Sequence, residues 1–285
     1  MKVSVVIAVF NAENYLAEAI DSILAQDMDD FECIVVNDGS TDNTAQILNR
    51  YNDPRLKIIE LPFNCGVGLA RNIAMRCFQG EYLAIMDADD ISLPERFSKQ
   101  VQFLDNHSDI HFLGTRTTRV AHSLENVINN PQHPLSDSEI KARLLLLNGT
   151  AMVHPTLMVR AEFLKKYDLA YPCQKMDVDH GFWAKCVALG AKFHNLEDIF
   201  LIKRRHEKNI SSLEAPKKEM LKSPLRKQLL SMYFPKLSGE EIHCLSLIMS
   251  LDKRFTLNQA QFGLSAAGKA LQENRSIYGE SKSVL

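Results

Sequence analysis

The chain predicts an α/β fold: a mostly parallel sheet with helices on both faces, followed by a small helical C-terminal appendage. Three observations carry that expectation. Strand and helix patterns alternate cleanly through the first hundred residues, and the β signal disappears beyond Ser211. The third is size, since 285 residues with 46% hydrophobic content suffice for one large domain bearing an appendage. Alternation of this kind implies parallel strands covered by helices. In such sheets, ligands bind beyond the carboxyl ends of the strands.

Each element has its own signal. Val3 to Val9 is a β-branched apolar run, which reads as a buried strand. Asn14 to Gln26 sets Leu16, Ala19, Ile20, Ile23 and Leu24 on one helical face. Phe31 to Val36 is a second strand. Asp42 to Tyr51 is a second helix, with Asp42 at the expected N-cap after Gly39-Ser40. Leu56 to Leu61 gives a third strand, Val67 to Cys77 a third helix, and Glu81 to Met86 a fourth strand. Pro94 opens a helix running to about His107. Beyond it the pattern loosens: Ile110 to Val120 holds one or two strands, Asp137 to Leu147 a helix, and Met152 to Val159 a strand. Asp177 to Leu189 is a helix ended by Gly190, and Ile199 to Arg204 a strand. Three helical stretches close the chain, Lys217 to Tyr233, Gly239 to Leu251 and Leu257 to Asn274.

Composition narrows the partners. A formal net charge of −2 gives no electrostatic footprint for nucleic acid. The apolar run that ends at Phe10 is too short for a signal peptide, and no segment approaches the length that spans a bilayer. Six cysteines without a C-x-x-C pair suit reduced thiols in a cytoplasmic protein.

Three carboxylates fall within four positions at Asp87-Ala88-Asp89-Asp90, directly after the apolar run Tyr82 to Met86. Clustered acids repel and are costly to desolvate. A divalent cation, Mg²⁺ or Mn²⁺ carrying a phosphate ligand, resolves that cost at a strand end. The alternative is an Asp-rich turn with a helix N-cap.

Four segments settle between these readings. Val5 to Asn11 leads into Asn14-Tyr15-Leu16; Asn37-Asp38-Gly39-Ser40 ends the second strand; Asn64 to Asn72 enters the third helix; and Asp87 to Asp90 ends the fourth strand. Their order and spacing resemble the nucleotide-sugar-binding half of the family-2 glycosyltransferases, inverting enzymes with the GT-A fold, including those of bacterial surface-polysaccharide assembly. The resemblance covers about residues 1 to 211. It implies a catalytic domain at 1–211, divided into a donor half (1–107) and an acceptor half (108–211), with a helical extension at 212–285.

The resemblance also implies roles. Phe10 lies against the nucleobase, with a core position as its alternative. Asp38 accepts the uracil N–H, since a carboxylate offers acceptors only; its alternative is an Asx-turn or cap. Arg71 faces the diphosphate with its guanidinium fork, or else is a solvated helix residue. Asp87 binds the ribose, Ala8 and Ala88 are motif positions lining the donor, and Asp89 ligates the metal. Asp90 orients its neighbours. The family usually carries Pro at Ala8 and Asp at Asn37. Neither departure removes an acceptor from these contacts.

In the second half, Lys175-Met176-Asp177-Val178-Asp179-His180-Gly181-Phe182-Trp183 resembles the family's acceptor-side E-D motif, with Met176 in place of Glu. Asp177 holds the position of the catalytic base, and Asp179 is a rival two residues on. Inversion requires a carboxylate opposite the leaving group to take the acceptor hydroxyl's proton. Arg204-Arg205-His206 with Ser211 resembles the family's R-x-H segment, which implies His206 at the metal–diphosphate group. His154-Pro155-Thr156 resembles a segment lining the acceptor. Trp183 either stacks on an acceptor sugar or lies in the core. Six basic residues between Lys217 and Lys236, interleaved with Leu225, Leu229, Leu230 and Phe234, suit contact with an anionic membrane surface, as for a lipid-linked acceptor at the cytoplasmic face.

The expected activity is therefore metal-assisted transfer of a sugar from a nucleotide donor, a UDP-sugar, to a glycan or lipid-linked glycan. A non-catalytic nucleotide-sugar-binding subunit is a rival kept by Met176. A sugar nucleotidyltransferase, or a dinucleotide oxidoreductase, would carry a glycine-rich loop after the first strand, where Phe10-Asn11-Ala12-Glu13-Asn14 has no glycine.

Overall fold

The computed structural model describes residues 1–121, 124–147, 150–172, 178–207, 209, 215–249 and 256–273. A nine-stranded mixed sheet organises them. Its strands are β1 (Val3–Val9), β2 (Phe31–Asn37), β3 (Leu56–Glu60), β4 (Tyr82–Asp87), β5 (Ile91–Ser92), β6 (Phe112–Ala121), β7 (Val127–Asn129), β8 (Met158–Arg160) and β9 (Phe193–Arg205). The order is β3-β2-β1-β4-β8-β6-β9-β5, with β7 beside β6. The first four strands are parallel, as the alternation predicts. β4 then meets β8, and β8 meets β6, in antiparallel pairs, while β6 and β9 run parallel.

Helices α1 (Leu16–Leu24), α2 (Thr44–Leu48), α3 (Val67–Cys77) and α4 (Arg96–Asn106) connect the donor-half strands. α5 (Asp137–Leu146), α6 (Ala161–Lys166) and α7 (Val178–Ala188) belong to the second half, and α8 (Ala215–Tyr233), α9 (Gly239–Met249) and α10 (Leu257–Glu273) close the chain. Two apolar clusters flank the sheet. One packs α1 and α4 on Val5, Ile7, Val35 and Met86; the other joins α3, α5 and α7 to Val6, Ile34, Ile85 and Phe112. The alternation of neighbours along β1 between the two clusters is the period-2 geometry of a strand buried on both faces.

The C-terminal helices share the second cluster through Leu229, Leu230, Tyr233, Phe234 and Ala266. The apolar residues expected to touch a membrane therefore face protein, and Arg226 is buried with Nη2 donating to the Leu146 carbonyl at 3.2 Å. The side chains of Lys217, Lys218 and Lys222 lie outside the described residues.

Three expectations are revised locally. The strand expected at Met152 to Val159 is a 3₁₀ turn at His154–Thr156 followed by β8, since Pro155 has no N–H for a ladder. Asp42 precedes the N-cap, which is Asn43. Its carboxylate instead accepts the N–H of Thr44 at 2.9 Å and of Glu13 at 3.1 Å, tying the loop after β2 to the loop after β1. β9 begins at Phe193, six residues before the expected strand.

Where the parallel and antiparallel parts meet, Arg96 is fully buried. Its Nη2 donates to the carbonyls of Ile85 (3.0 Å) and Leu157 (3.3 Å), and Nε to Gln100 Oε1 at 3.0 Å. Gln100 in turn donates to the carbonyls of Leu113 and Thr156. The pair ties β4, the 3₁₀ turn and β6 together, adding a second donor to the Leu157 carbonyl, which also accepts the Ile85 N–H at 2.9 Å.

Candidate active site

The carboxyl ends of β1, β2 and β4 lie side by side, with Ala8 paired to Val36 on one side and Asp87 on the other. The loops beyond them are laced together. Asn11, at φ 50°, accepts the Thr41 N–H through Oδ1 at 2.8 Å, and its own N–H donates to Ser40 Oγ at 3.0 Å. Phe10 projects from this loop and is 46% exposed, so the core alternative does not hold. Gly39 takes φ +65°, and the chain at Phe63 passes so close that a Cβ there would meet Phe63 C at 2.5 Å. Only glycine fits both demands.

Asp38 is 2% exposed. Its two carboxylate oxygens accept the N–H groups of Cys65 (2.7 Å) and Gly66 (2.9 Å) at the entry to α3. These bonds fix the chain just before α3, whose first turn has no side-chain cap hydrogen bond, and the negative charge suits the helix N-terminus. A carboxylate has about four acceptor sites, so capacity remains for a ligand N–H. Asn37 explains its own departure from the family pattern: Nδ2 donates to Glu60 Oε2 at 2.7 Å. An Asp there would set two carboxylates against each other.

Arg71 is not a solvated helix residue. It is 5% exposed, with Nη2 on Asp87 Oδ1 and Nη1 on Asp179 Oδ1, both at 2.9 Å. Gly68 permits this approach, because a Cβ at that position would press on the Pro172 carbonyl and Val178 at 3.0 Å. Burial opposes the charge on Asp179, but His154 and Arg71 outweigh it and hold the carboxyl at about 2. His154 is pushed down to about 4 by burial. At neutral pH its ring is uncharged, and the Arg71 charge keeps Asp179 ionised. His154 Nε2 meets the Tyr171 hydroxyl at 2.9 Å and Nδ1 faces Asp179 Oδ1 at 3.6 Å.

Asp87, Asp89 and Asp90 each offer an oxygen, and the three oxygens lie within 4.8 Å of one another. Lys203 Nζ reaches Asp87 Oδ2 at 3.3 Å and Asp90 Oδ2 at 3.2 Å. Burial raises Lys203's desolvation cost, yet Asp90, Asp87 and Asp89 hold it above the usual lysine range. Asp90 is 1% exposed and accepts the Arg204 N–H at 3.0 Å; burial pushes its carboxyl up to about 7. Asp89 accepts from Asn209 Nδ2 at 2.8 Å and meets His206 Nε2 at 3.0 Å. The His206 ring stacks on Tyr15 at 4.6 Å and 23°.

The sequence-predicted residues Arg71, Asp87, Asp89 and His206 are thus brought to one crevice, with Ala88 buried beneath them and Asp38 and Phe10 on its β1–β2 side. Trp183 is 4% exposed among Phe112, Phe182 and Phe193, which is the core alternative. Asp177, Met176 and Ser211 lie outside the described residues. Sequence reading passed over Lys203 and Asn209. The run Lys203-Arg204-Arg205 offers three cations in the sequence, but choosing among them needs the β9 register.

Comparison with known proteins agrees with this geometry. The profile described as "Glycosyl transferase family 2" matches residues 4–168. An uncharacterised glycosyltransferase of Methanocaldococcus jannaschii is 34% identical over 237 residues, covering 81% of this chain and 77% of that relative. Staphylococcus aureus TarS, named a poly(ribitol-phosphate) β-N-acetylglucosaminyltransferase, is 32% identical over 177 residues, 60% of this chain and 30% of TarS. The crystal structure of TarS 1–349 with UDP-GlcNAc matches with a TM-score of 0.70 at 23% identity, covering 98% of this chain and 83% of that one. A mannosyltransferase from Pyrobaculum calidifontis, solved with GDP-Man and Mn²⁺, gives a TM-score of 0.61 at 19% identity, covering 97% and 81%. Sequence and fold converge, and the chain belongs to the family-2 glycosyltransferases.

Proposed function

We propose that this glycosyltransferase is inverting and cation-assisted, and moves a sugar from a UDP-linked donor to a glycan or lipid-linked glycan. The observation that carries the proposal is the trio Asp87, Asp89 and Asp90 at the end of β4, faced by Arg71 and Lys203. An all-oxygen donor set suits Mg²⁺ or Mn²⁺. Two bonds of about 2.1 Å span about 4.2 Å, so oxygens within 4.8 Å need only small side-chain adjustment. Asp89 would hold the ion, with His206 beside it. When bound, the cation supplies Lewis-acid stabilisation of the departing diphosphate.

The chain's own groups account for the rest. Phe10 offers a face to the base, and Asp38 an acceptor for the uracil N–H. Arg71, fixed by two carboxylates, presents its charge where phosphate oxygens arrive. A general base works best with a pKa near the operating pH. Asp179, held at about 2 and bound to Arg71, suits positioning, which favours Asp177 as the base. That UDP-GlcNAc and UDP occupy TarS supports the uridine choice. The division at residue 211 and an acceptor at the cytoplasmic face of a membrane belong to the same reading. With Leu229, Leu230 and Phe234 turned inward, membrane contact would rest on charge. Among the described residues no helix is long and apolar enough to cross a membrane.

Calorimetric titration with UDP-, GDP- and TDP-sugars, with and without Mn²⁺, tests the proposal. UDP-sugar is expected to bind in a cation-dependent way that Asp89→Asn abolishes, and the wild type to hydrolyse it slowly. Cation-independent binding, or preference for GDP or TDP, would overturn it.

A further inference from the structure

A cavity of about 470 Å³ lies away from the acid cluster, lined by residues that include Gln132, His133, Glu139 and Arg143. Its volume falls in the range of small-molecule sites. His133 is 6% exposed, its Nδ1 meets the Thr150 carbonyl at 3.2 Å, and its Nε2 has no partner. A buried ring nitrogen without a partner is a group waiting for one. Burial, with the charges of Arg119, Arg143 and Arg116, keeps this imidazole neutral. Since Nδ1 faces a carbonyl it carries the proton, and Nε2 is left as an acceptor for a hydroxyl.

The surrounding charge is mostly positive. Among the described residues the guanidinium groups of Arg119 and Arg143 make no hydrogen bond or ion pair. Arg116 pairs with Glu197 at 2.9 Å, yet its Nε is buried without a partner. Glu139 also lines the cavity; Ser136 in the capping box of α5 and the nearby Arg143 hold it ionised. Two connections tie this basic cavity to the catalytic crevice. In the β6–β9 pairing Arg119 lies opposite Lys203, which touches Asp87 and Asp90. Thr150 stands four residues before His154, whose ring faces Asp179.

We infer that this cavity is an acceptor subsite for an anion flanked by hydroxyls, such as a sugar or polyol phosphate or a uronic acid. The anion pairs with Arg143 and Arg119, while a neighbouring hydroxyl donates to His133 Nε2. The inference rests on the transferase reading and names the chemistry of its acceptor.

Titration of the full chain with sn-glycerol 3-phosphate, glucuronate and neutral glycerol tests it, with saturating UDP and Mn²⁺ present to block the donor site. At least one anion is expected to bind and glycerol not to. Arg143→Ala and Arg119→Ala should each weaken that binding at least tenfold while leaving UDP affinity unchanged. His133→Gln should weaken it less, because charge pairing survives. The anion that binds identifies phosphate or carboxylate as the acceptor's charge. No binding by either anion, or binding unchanged in both arginine variants, overturns the inference. Failure of the donor reading would show separately, as absent UDP binding.

Discussion

Replacing Asp179 by Asn separates a positioning carboxylate from a catalytic one. In the folded chain this carboxyl lies at about 2, against an ordinary 3.8, a difference worth about 2–3 kcal/mol at roughly 1.4 kcal/mol per pH unit. The side chain is 42% exposed, so water screens part of the interaction, and about 1 kcal/mol is the working figure. The sign follows from a folded-state pKa depressed below the unfolded one. The contribution is fully present above about pH 4 and is lost as pH falls toward about 2. Asp179→Asn should therefore lower stability by about 1 kcal/mol at pH 7, roughly 2–4 °C in Tm. The gap to wild type should narrow as the pH falls from 4. Asp87 is also held low by Lys203 and Arg71 against its burial, so both proteins keep an acid limb and the difference between them is informative. Urea unfolding at a series of pH values reads it. In parallel, Asp177→Asn should lose about 10²- to 10⁴-fold in kcat, and Asp179→Asn less than the lower bound. A pH-independent gap, or the larger kcat loss at Asp179, would refute the assignment of Asp179 to positioning.

Three further outcomes follow from the geometry. Asp38→Asn retains one acceptor oxygen, so one N–H of Cys65 or Gly66 loses its partner at a cost of about 1–3 kcal/mol; denaturant unfolding and UDP titration should both register it. Phe10→Ala, at an exposed position, should stay within about 0.5 kcal/mol of wild type in stability yet weaken UDP binding; unchanged affinity would remove the ring from the base site. Lys203→Met lets buried Asp90, whose carboxyl burial already pushes up to about 7, take up a proton instead of standing as an unpaired charge, and should lower stability by about 1 kcal/mol. Mn²⁺ should raise the Tm of this variant more than that of the wild type, because Lys203 then no longer competes for Asp87 Oδ2 and Asp90 Oδ2. An equal shift in both proteins would count against it.

Much of this was legible in the residues because the donor half obeys local rules. β1 and α3 begin and end where the apolar run and the helical periodicity do, and the acid cluster sits at the strand end that the alternation requires. The second half resists reading for identifiable reasons. Phe193 to Asp198 carries His, Asn, Glu and Asp, residues that argue for a turn, yet β6 pairs with Phe193 to Leu196, and Glu197 and Asp198 fall at a register shift within β9. α6 has six residues and no capping signal, with Arg160 at its N-cap. The role of Arg71 was half visible: the family motif pointed to a phosphate-facing cation, but the Asp179 contact depends on Gly68 letting α3 approach Val178. Lys203 needed the strand register, which no local pattern discloses.

The Arg96–Gln100 pair has a consequence for motion. By binding the carbonyls of Ile85, Leu157, Leu113 and Thr156 at once, it welds the two halves of the sheet along the line where a hinge would otherwise run. Opening that seam would strand four acceptors and a guanidinium in a dry interior. Movement in catalysis is then expected away from this seam, while the frame beneath the acid cluster stays rigid.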